Sequence, residues 1–241
     1  MWYPEGGYRP NTIETISRGQ QVGVRISYQT LEIGPIDIHL CTLRDKQQYS
    51  DPDGIAEAMG ISSATWSMFG VVWDSSKVLA HYMLQCMRES DLQGNRILEV
   101  GCGIGLTSLM LNCRGMNITA TDHHPEAERM LERNTRLNGG PRIPFVCTGW
   151  EEEESGLGRF DLILGSDILY DRRHLEALAR FIDGHANPRS EVVIADPGRG
   201  ECGRFGKILF RLGFTDQTAI RPETPFLKTP FNGRILRFRR N

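Results

Sequence analysis

The chain has 241 residues, 39% of them apolar and 24% charged, enough for one domain of ordinary size with a full core. Twenty-eight basic against thirty acidic residues leave a net charge of −2, so no overall field recruits nucleic acid or anionic lipid. No apolar run approaches the ~18 residues a membrane span needs, and the six cysteines include no Cys-x-x-Cys pair of the kind that builds a zinc ribbon. The opening Met1-Trp2-Tyr3-Pro4-Glu5 lacks the basic and apolar regions of a signal peptide, so a reducing, cytoplasmic setting is expected.

Between residues 22 and 41 apolar side chains alternate. Val22, Val24, Ile26 and Tyr28 precede a Gly34-Pro35 break, and Ile36, Ile38 and Leu40 follow it, which predicts a β-hairpin. Residues 51–63 are polar and glycine-containing and suit a short helix and loop. Asp74-Ser75-Ser76 can cap a helix carrying Val78, Leu79, Tyr82, Met83, Cys86 and Met87 on one face.

From residue 96 onward apolar runs alternate with amphipathic stretches. Ile97-Leu98-Glu99-Val100 is strand-like, and Leu106, Leu109, Met110 and Cys113 have helical spacing. A strand at 118–121 leads to a helix opened by Pro125 and carrying Ala127, Met130, Leu131, Asn134 and Leu137. Strands at 145–147 and 160–164 follow, then a helix with Leu175, Leu178, Phe181 and Ile182. A strand at 192–195 and a helix with Phe205, Ile208, Leu209 and Leu212 complete the alternation. Such a pattern implies an α/β fold, a doubly wound parallel sheet covered on both faces. The last two strands, at 218–220 and 235–238, have no helix between them and are expected to pair antiparallel at the C-terminal edge.

Glycine is over-represented, 26 of 241 or about 11% against a usual ~7%. Three of these glycines fall in Glu99-Val100-Gly101-Cys102-Gly103-Ile104-Gly105, between the first strand and first helix of the sheet domain. Glycines there let the chain turn sharply and let a ligand lie against the backbone. Dinucleotide enzymes use Gly-x-Gly-x-x-Gly, but here Leu106 stands at the third glycine's place. An acid two residues before the first glycine also suits a cationic ligand, and Asp/Glu-x-Gly-x-Gly-x-Gly is the spacing of class I S-adenosylmethionine enzymes. Asp122, ending the next strand, is placed to accept from both ribose hydroxyls.

Val71-Val72-Trp73-Asp74, residues 97–105, Thr121-Asp122, Gly149-Trp150 and Ser166-Asp167-Ile168-Leu169-Tyr170 together resemble the family 16 methyltransferases. That group of seven-strand enzymes includes many protein-lysine methyltransferases, and the likeness runs from about residue 66 to the end of the chain. The resemblance implies a seven-stranded, mostly parallel, Rossmann-like sheet in residues 66–241, with residues 1–65 forming a small hairpin and helix extension. It implies S-adenosyl-L-methionine as cofactor, with Trp73 closing over its amino-acid end. Gly101 and Gly103 are then the main-chain floor, Asp122 the ribose ligand, Trp150 the aromatic beside the adenine, and Ser166 a main-chain contact. Glu99 joins these cofactor residues as the acid before the loop. Asp167 and Tyr170 match the catalytic pair lining the entrance for the acceptor amine. Asp196-Pro197-Gly198-Arg199 departs from the chaperone-directed members and looks more like the branch that methylates the β subunit of electron-transfer flavoprotein.

Methyl transfer from a sulfonium is an in-line displacement that needs alignment and exclusion of water, and no metal site is expected. His123-His124 are adjacent and point apart. The expected function is methyl transfer to a lysine amine of a protein partner, with a nucleic-acid methyltransferase, a small-molecule methyltransferase and a non-catalytic cofactor-binding scaffold as alternatives. Base-amine methyltransferases place Asn/Asp-Pro-Pro-Tyr/Phe where this chain reads Ser166-Asp167-Ile168-Leu169-Tyr170, without prolines. The nucleic-acid alternative draws on residues 199–241, where ten Lys/Arg face three acids and Arg237 and Arg239 share one strand face. No membrane partner is expected, and the oligomeric state is not legible.

Overall fold

The computed structural model describes residues 24–89, 92–152 and 155–241. Val22 of the expected hairpin and the rest of the first 23 residues lie outside them. Strands β1 (Ile26–Ile33) and β2 (Ile36–Leu43) form that hairpin, with Gly34 in the turn. A short α1 (Ile55–Ala58), a 3₁₀ turn at Trp66–Gly70 and the long α2 (Asp74–Glu89) lead into the main sheet. The chain then runs through β3 (Arg96–Val100), α3 (Leu106–Cys113), β4 (Asn117–Asp122), α4 (Ala127–Leu137), β5 (Phe145–Cys147) and β6 (Phe160–Ser166). It closes with α5 (Leu175–His185), β7 (Ala186–Asp196), α6 (Cys202–Arg211), β8 (Asp216–Ile220) and β9 (Arg234–Arg240).

Seven strands form the main sheet in the order β5-β4-β3-β6-β7-β9-β8. Strands β3 to β7 are mutually parallel, and β9 inserts antiparallel between β7 and β8. The edge strand β8 is therefore parallel to the majority, because α6 carries the chain over to it, and only β9 runs the other way. Successive strand residues feed opposite cores. Ile97, Leu162 and Leu164 pack with α2 and α3 on one face, while Leu98, Ile163 and Val192 pack with α5 and α6 on the other. Right-handed crossovers that run one way from β3 and the other way from β6 require this division.

The hairpin lies on α4 through two asparagines. Asn134 is fully buried and its Oδ1 accepts from the Cys41 amide at 2.7 Å, while its Nδ2 donates to the Ile104 carbonyl at 3.4 Å. Asn138 accepts from the His39 amide at 2.9 Å and donates to the His39 carbonyl at 2.8 Å. Helical spacing groups Asn134 and Leu137 with the apolar face of α4, yet Leu137 is exposed and Asn134 is a buried polar tie to the glycine loop.

Candidate active site

The strand order reverses between β3 and β6, with β4 and β5 to one side and β7 to the other. Crossovers leave in opposite directions at such a point, so the loops after β3 and β6 part and open a crevice beyond the carboxyl ends of the strands.

Gly101, Gly103 and Gly105 in the loop after β3 all take left-handed φ values, 63°, 54° and 74°. A Cβ on Gly103 would come within 2.9 Å of the Phe69 carbonyl oxygen, and one on Gly105 within 2.3 Å of Leu131 Cδ1. The loop is thus threaded between the 3₁₀ turn and α4, with no room for side chains at either position.

Two carboxylates hold it. Glu99 is 1% exposed, and its Oε2 accepts from the Ser108 amide at 2.8 Å and the Ser108 hydroxyl at 2.5 Å, tying β3 to the first turn of α3. Burial pushes its pKa up to about 7. Sequence spacing groups Glu99 with the cofactor contacts; the structure places it beneath the loop as a support. Asp122 stands at the mouth of the crevice, half-buried. Its Oδ2 accepts from the Gly103 amide and its Oδ1 from the His124 amide, both at 2.8 Å. Burial raises this carboxyl above its usual range as well.

Trp150, in the turn after β5, comes beside the loop. Its Cζ2 is 4.0 Å from where a Cβ on Gly101 would lie, and its ring centroid is 6.1 Å from that of Tyr170. Ser166 ends β6 opposite Ala195 of β7. Asp167 follows with φ 56°, the one non-glycine residue with positive φ among the described residues. Its amide donates to the Ala195 carbonyl at 2.9 Å, which fixes the bend. Asp167 lines a cavity of about 440 Å³ shared with Trp73, Ser75, Arg199, Leu227 and Phe231. Trp73 is oriented by its indole N–H, which donates to the Met68 carbonyl at 3.0 Å.

The structure brings Trp73 and Asp167 together in that cavity, and Trp150 and Tyr170 together beside the glycine loop. Tyr170 is 60% exposed, with Ile168 and Leu169 buried beneath it. Asp171, and not Asp167, caps the 3₁₀ turn before α5 by accepting from the Arg173 amide. Sequence reasoning missed Arg199, whose Nε and Nη2 donate to both Asp167 oxygens at 2.8 and 2.7 Å. It also missed Leu227 and Phe231 of the loop between β8 and β9. A cation in the turn after the fifth parallel strand was the available signal, but its partner is 32 residues away.

Among the described residues no group of three or more His, Cys, Asp or Glu is arranged to hold a metal ion. His124 is a packed aromatic, stacked on Phe69 at 3.9 Å between centroids, and burial pushes its pKa down to about 4.

A family model described as lysine methyltransferase matches residues 57–202, more than half of the chain. Among curated proteins the chain is 31% identical to protein N-lysine methyltransferase METTL21A of Danio rerio over 55% of this chain and 63% of that protein. It is 28% identical to the histidine protein methyltransferase 1 homolog of Dictyostelium discoideum, covering 52% and 41% of the two. It is 26% identical to EEF1A lysine methyltransferase 3 of Xenopus tropicalis, covering 55% and 59%. The chain thus spans about 40 to 60% of the length of these relatives. Among solved structures, a Thermus thermophilus 16S rRNA N2 G1207 methyltransferase in complex with AdoMet and guanosine matches with a TM-score of 0.63 at 12% identity, over 90% of this chain and 51% of that one. A ribosomal protein L11 methylase of Lactobacillus delbrueckii subsp. bulgaricus matches with a TM-score of 0.54 at 19% identity, over 88% and 97%. At these identities the structural likenesses establish the fold.

Proposed function

Because the chain belongs to the lysine methyltransferase family, we propose that it transfers the methyl group of S-adenosylmethionine to a lysine amine of a protein. The observation that carries the reading is the pair of acids about the glycine turn. Glu99 lies under it, and Asp122 at the end of the neighbouring strand bonds the Gly103 amide.

The residues present fit this cofactor. The glycine backbone leaves a floor without side chains, Asp122 stands half-buried at the crevice edge, and Trp150 flanks the Gly101 end. When bound, S-adenosylmethionine supplies an electrophilic methyl group for in-line attack by an amine lone pair. The chain's own contribution is position and exclusion of water. Asp122 and the turn hold the nucleoside end. Trp73 and Asp167 shape the cavity through which the amine approaches, and the aromatic walls there favour a cation. A lysine acceptor, with a reference pKa of about 10.4, must shed its proton before attack. Asp167, held in place by Arg199 on both oxygens in the structure, acts as an orienting group for the amine, and solvent takes the proton.

The extension up to residue 65 is then an accessory to a catalytic domain in 66–241, and the cysteine spacing supports a cytoplasmic enzyme. The nucleic-acid alternative is weakened at the slot after β6, where buried Ile168 and Leu169 stand in place of the two prolines. Incubation with radiolabelled cofactor and cell lysate, split between protease and nuclease, tests the proposal. Label released by protease as methylated lysine supports it; label released by nuclease alone sinks it.

A further inference from the structure

The Asp167–Arg199 pair is built from below on both sides. Asp196 is fully buried, and its Oδ2 accepts from the Gly198 amide at 2.8 Å, the Arg199 amide at 3.3 Å and the Cys202 thiol at 3.0 Å. That turn fixes where the Arg199 side chain starts. Asp167 is fixed by its left-handed backbone and its bond to Ala195. The carboxylate is 11% exposed, whereas the guanidinium is 44% exposed at the mouth of the cavity. A fork-on-carboxylate contact is the strong, planar kind of ion pair. Asp167 in turn favours the charged form of Arg199, raising its pKa.

A protonated amine entering this cavity meets a carboxylate that already holds a cation. Two cations on one carboxylate repel, and the apolar walls of Trp73, Leu227 and Phe231 screen that repulsion poorly. A nearly buried anion and an exposed cation are the parts an exchange requires. Resting on the lysine methyltransferase reading, we propose that Arg199 determines specificity by standing in for the acceptor ammonium. The substrate lysine replaces Arg199 on Asp167, and an acidic side chain flanking that lysine receives the displaced guanidinium. The exchange forms and breaks only ion pairs, and charge is conserved throughout. The substrate class is therefore a protein segment with Asp or Glu adjacent to the methylated lysine.

The test uses two short peptides, Ac-Ala-Glu-Lys-Glu-Ala-NH₂ and its analogue with Gln for both Glu, titrated calorimetrically into the whole chain with and without S-adenosylhomocysteine. The wild type is expected to bind the Glu peptide about tenfold more tightly than the Gln peptide, a step of about 1.4 kcal/mol. In Arg199→Gln the two peptides are expected to bind within about twofold of each other. In Arg199→Lys, which keeps the charge but not the fork, part of the preference returns. Equal affinities in the wild type, a preference that survives Arg199→Gln, or no measurable binding of either peptide overturns the proposal. Loss of preference in both variants together with weakened S-adenosylhomocysteine binding would mark Arg199 as a structural staple and overturn it as well. Failure of the wild type to bind S-adenosylhomocysteine strikes the methyltransferase reading, and the peptide arms without nucleoside still decide this one.

Discussion

Single residues in this site do unlike work, and their environments say which. Asp122 bonds two backbone amides at the edge of the crevice, so on the proposed reading Asp122→Ala removes a ribose contact together with a loop support. The variant is expected to bind S-adenosylhomocysteine at least about tenfold more weakly by calorimetry, with stability lowered by about 1–3 kcal/mol as the Gly103 amide loses its partner. Asp167 calls for a different substitution, because its φ of 56° suits asparagine but strains alanine. Asp167→Asn is expected to cut turnover about a hundredfold while leaving S-adenosylhomocysteine affinity within about twofold, a kcat and binding split that separates orientation of the amine from cofactor binding.

Glu99 makes a pH prediction with a definite sign. Its folded pKa is raised to about 7 by burial, above its ordinary value of 4.5. Between those values the unfolded chain releases a proton that the folded chain keeps, so stability falls as pH rises through that window. The loss is on the order of 3 kcal/mol at most. Glu99→Gln stays neutral at every pH, so its melting temperature should lack this fall and match or exceed that of the parent above pH 7. A steeper fall in the variant would show that the ionised carboxylate is the stable folded form.

At the scale of elements, the glycine turn is held by the helix that crosses it as well as by its own. Asn134 on α4 joins β2 to the turn through Cys41 and Ile104. Asn134→Leu fits the helix but leaves a buried amide without its acceptor, a cost of about 1–3 kcal/mol. Urea melts should show that cost, and amide exchange should speed up locally at the Cys41 amide in β2. Periodicity made α2 through α6 and the strands legible, since burial of one helix face or both sheet faces writes itself as a repeat of 3.6 or as a continuous apolar run. Asn134 was illegible for the complementary reason. A polar residue inside an apolar stripe carries its meaning in a backbone 93 residues away.

Across the whole molecule, the basic stretch at residues 199–241 changes character on folding. Arg237 and Arg239 both reach Glu191, Arg240 reaches Asp183, Arg211 reaches Glu176 and Arg199 reaches Asp167. The acids come from earlier in the chain, so half of what reads as a cationic tail is stitched to the rest of the sheet domain. RNA binding measured by filter retention should therefore be weak and show a shallow salt slope. A steep dependence between 50 and 200 mM salt would instead require several free phosphate contacts.

The amino-acid order by itself determined the alternating α/β architecture, the glycine turn and the acids that bracket it. Each depends on residues within one strand, one turn or one βα unit, where geometry follows from spacing alone. Only the tertiary structure decided that Glu99 supports the turn from beneath, that Asp167 is held by Arg199, and that five of the basic segment's ten cations pair with acids from earlier in the chain. Those outcomes depend on which strands become neighbours, and a sheet whose order reverses at β3 and β6 brings together charges that no local spacing connects.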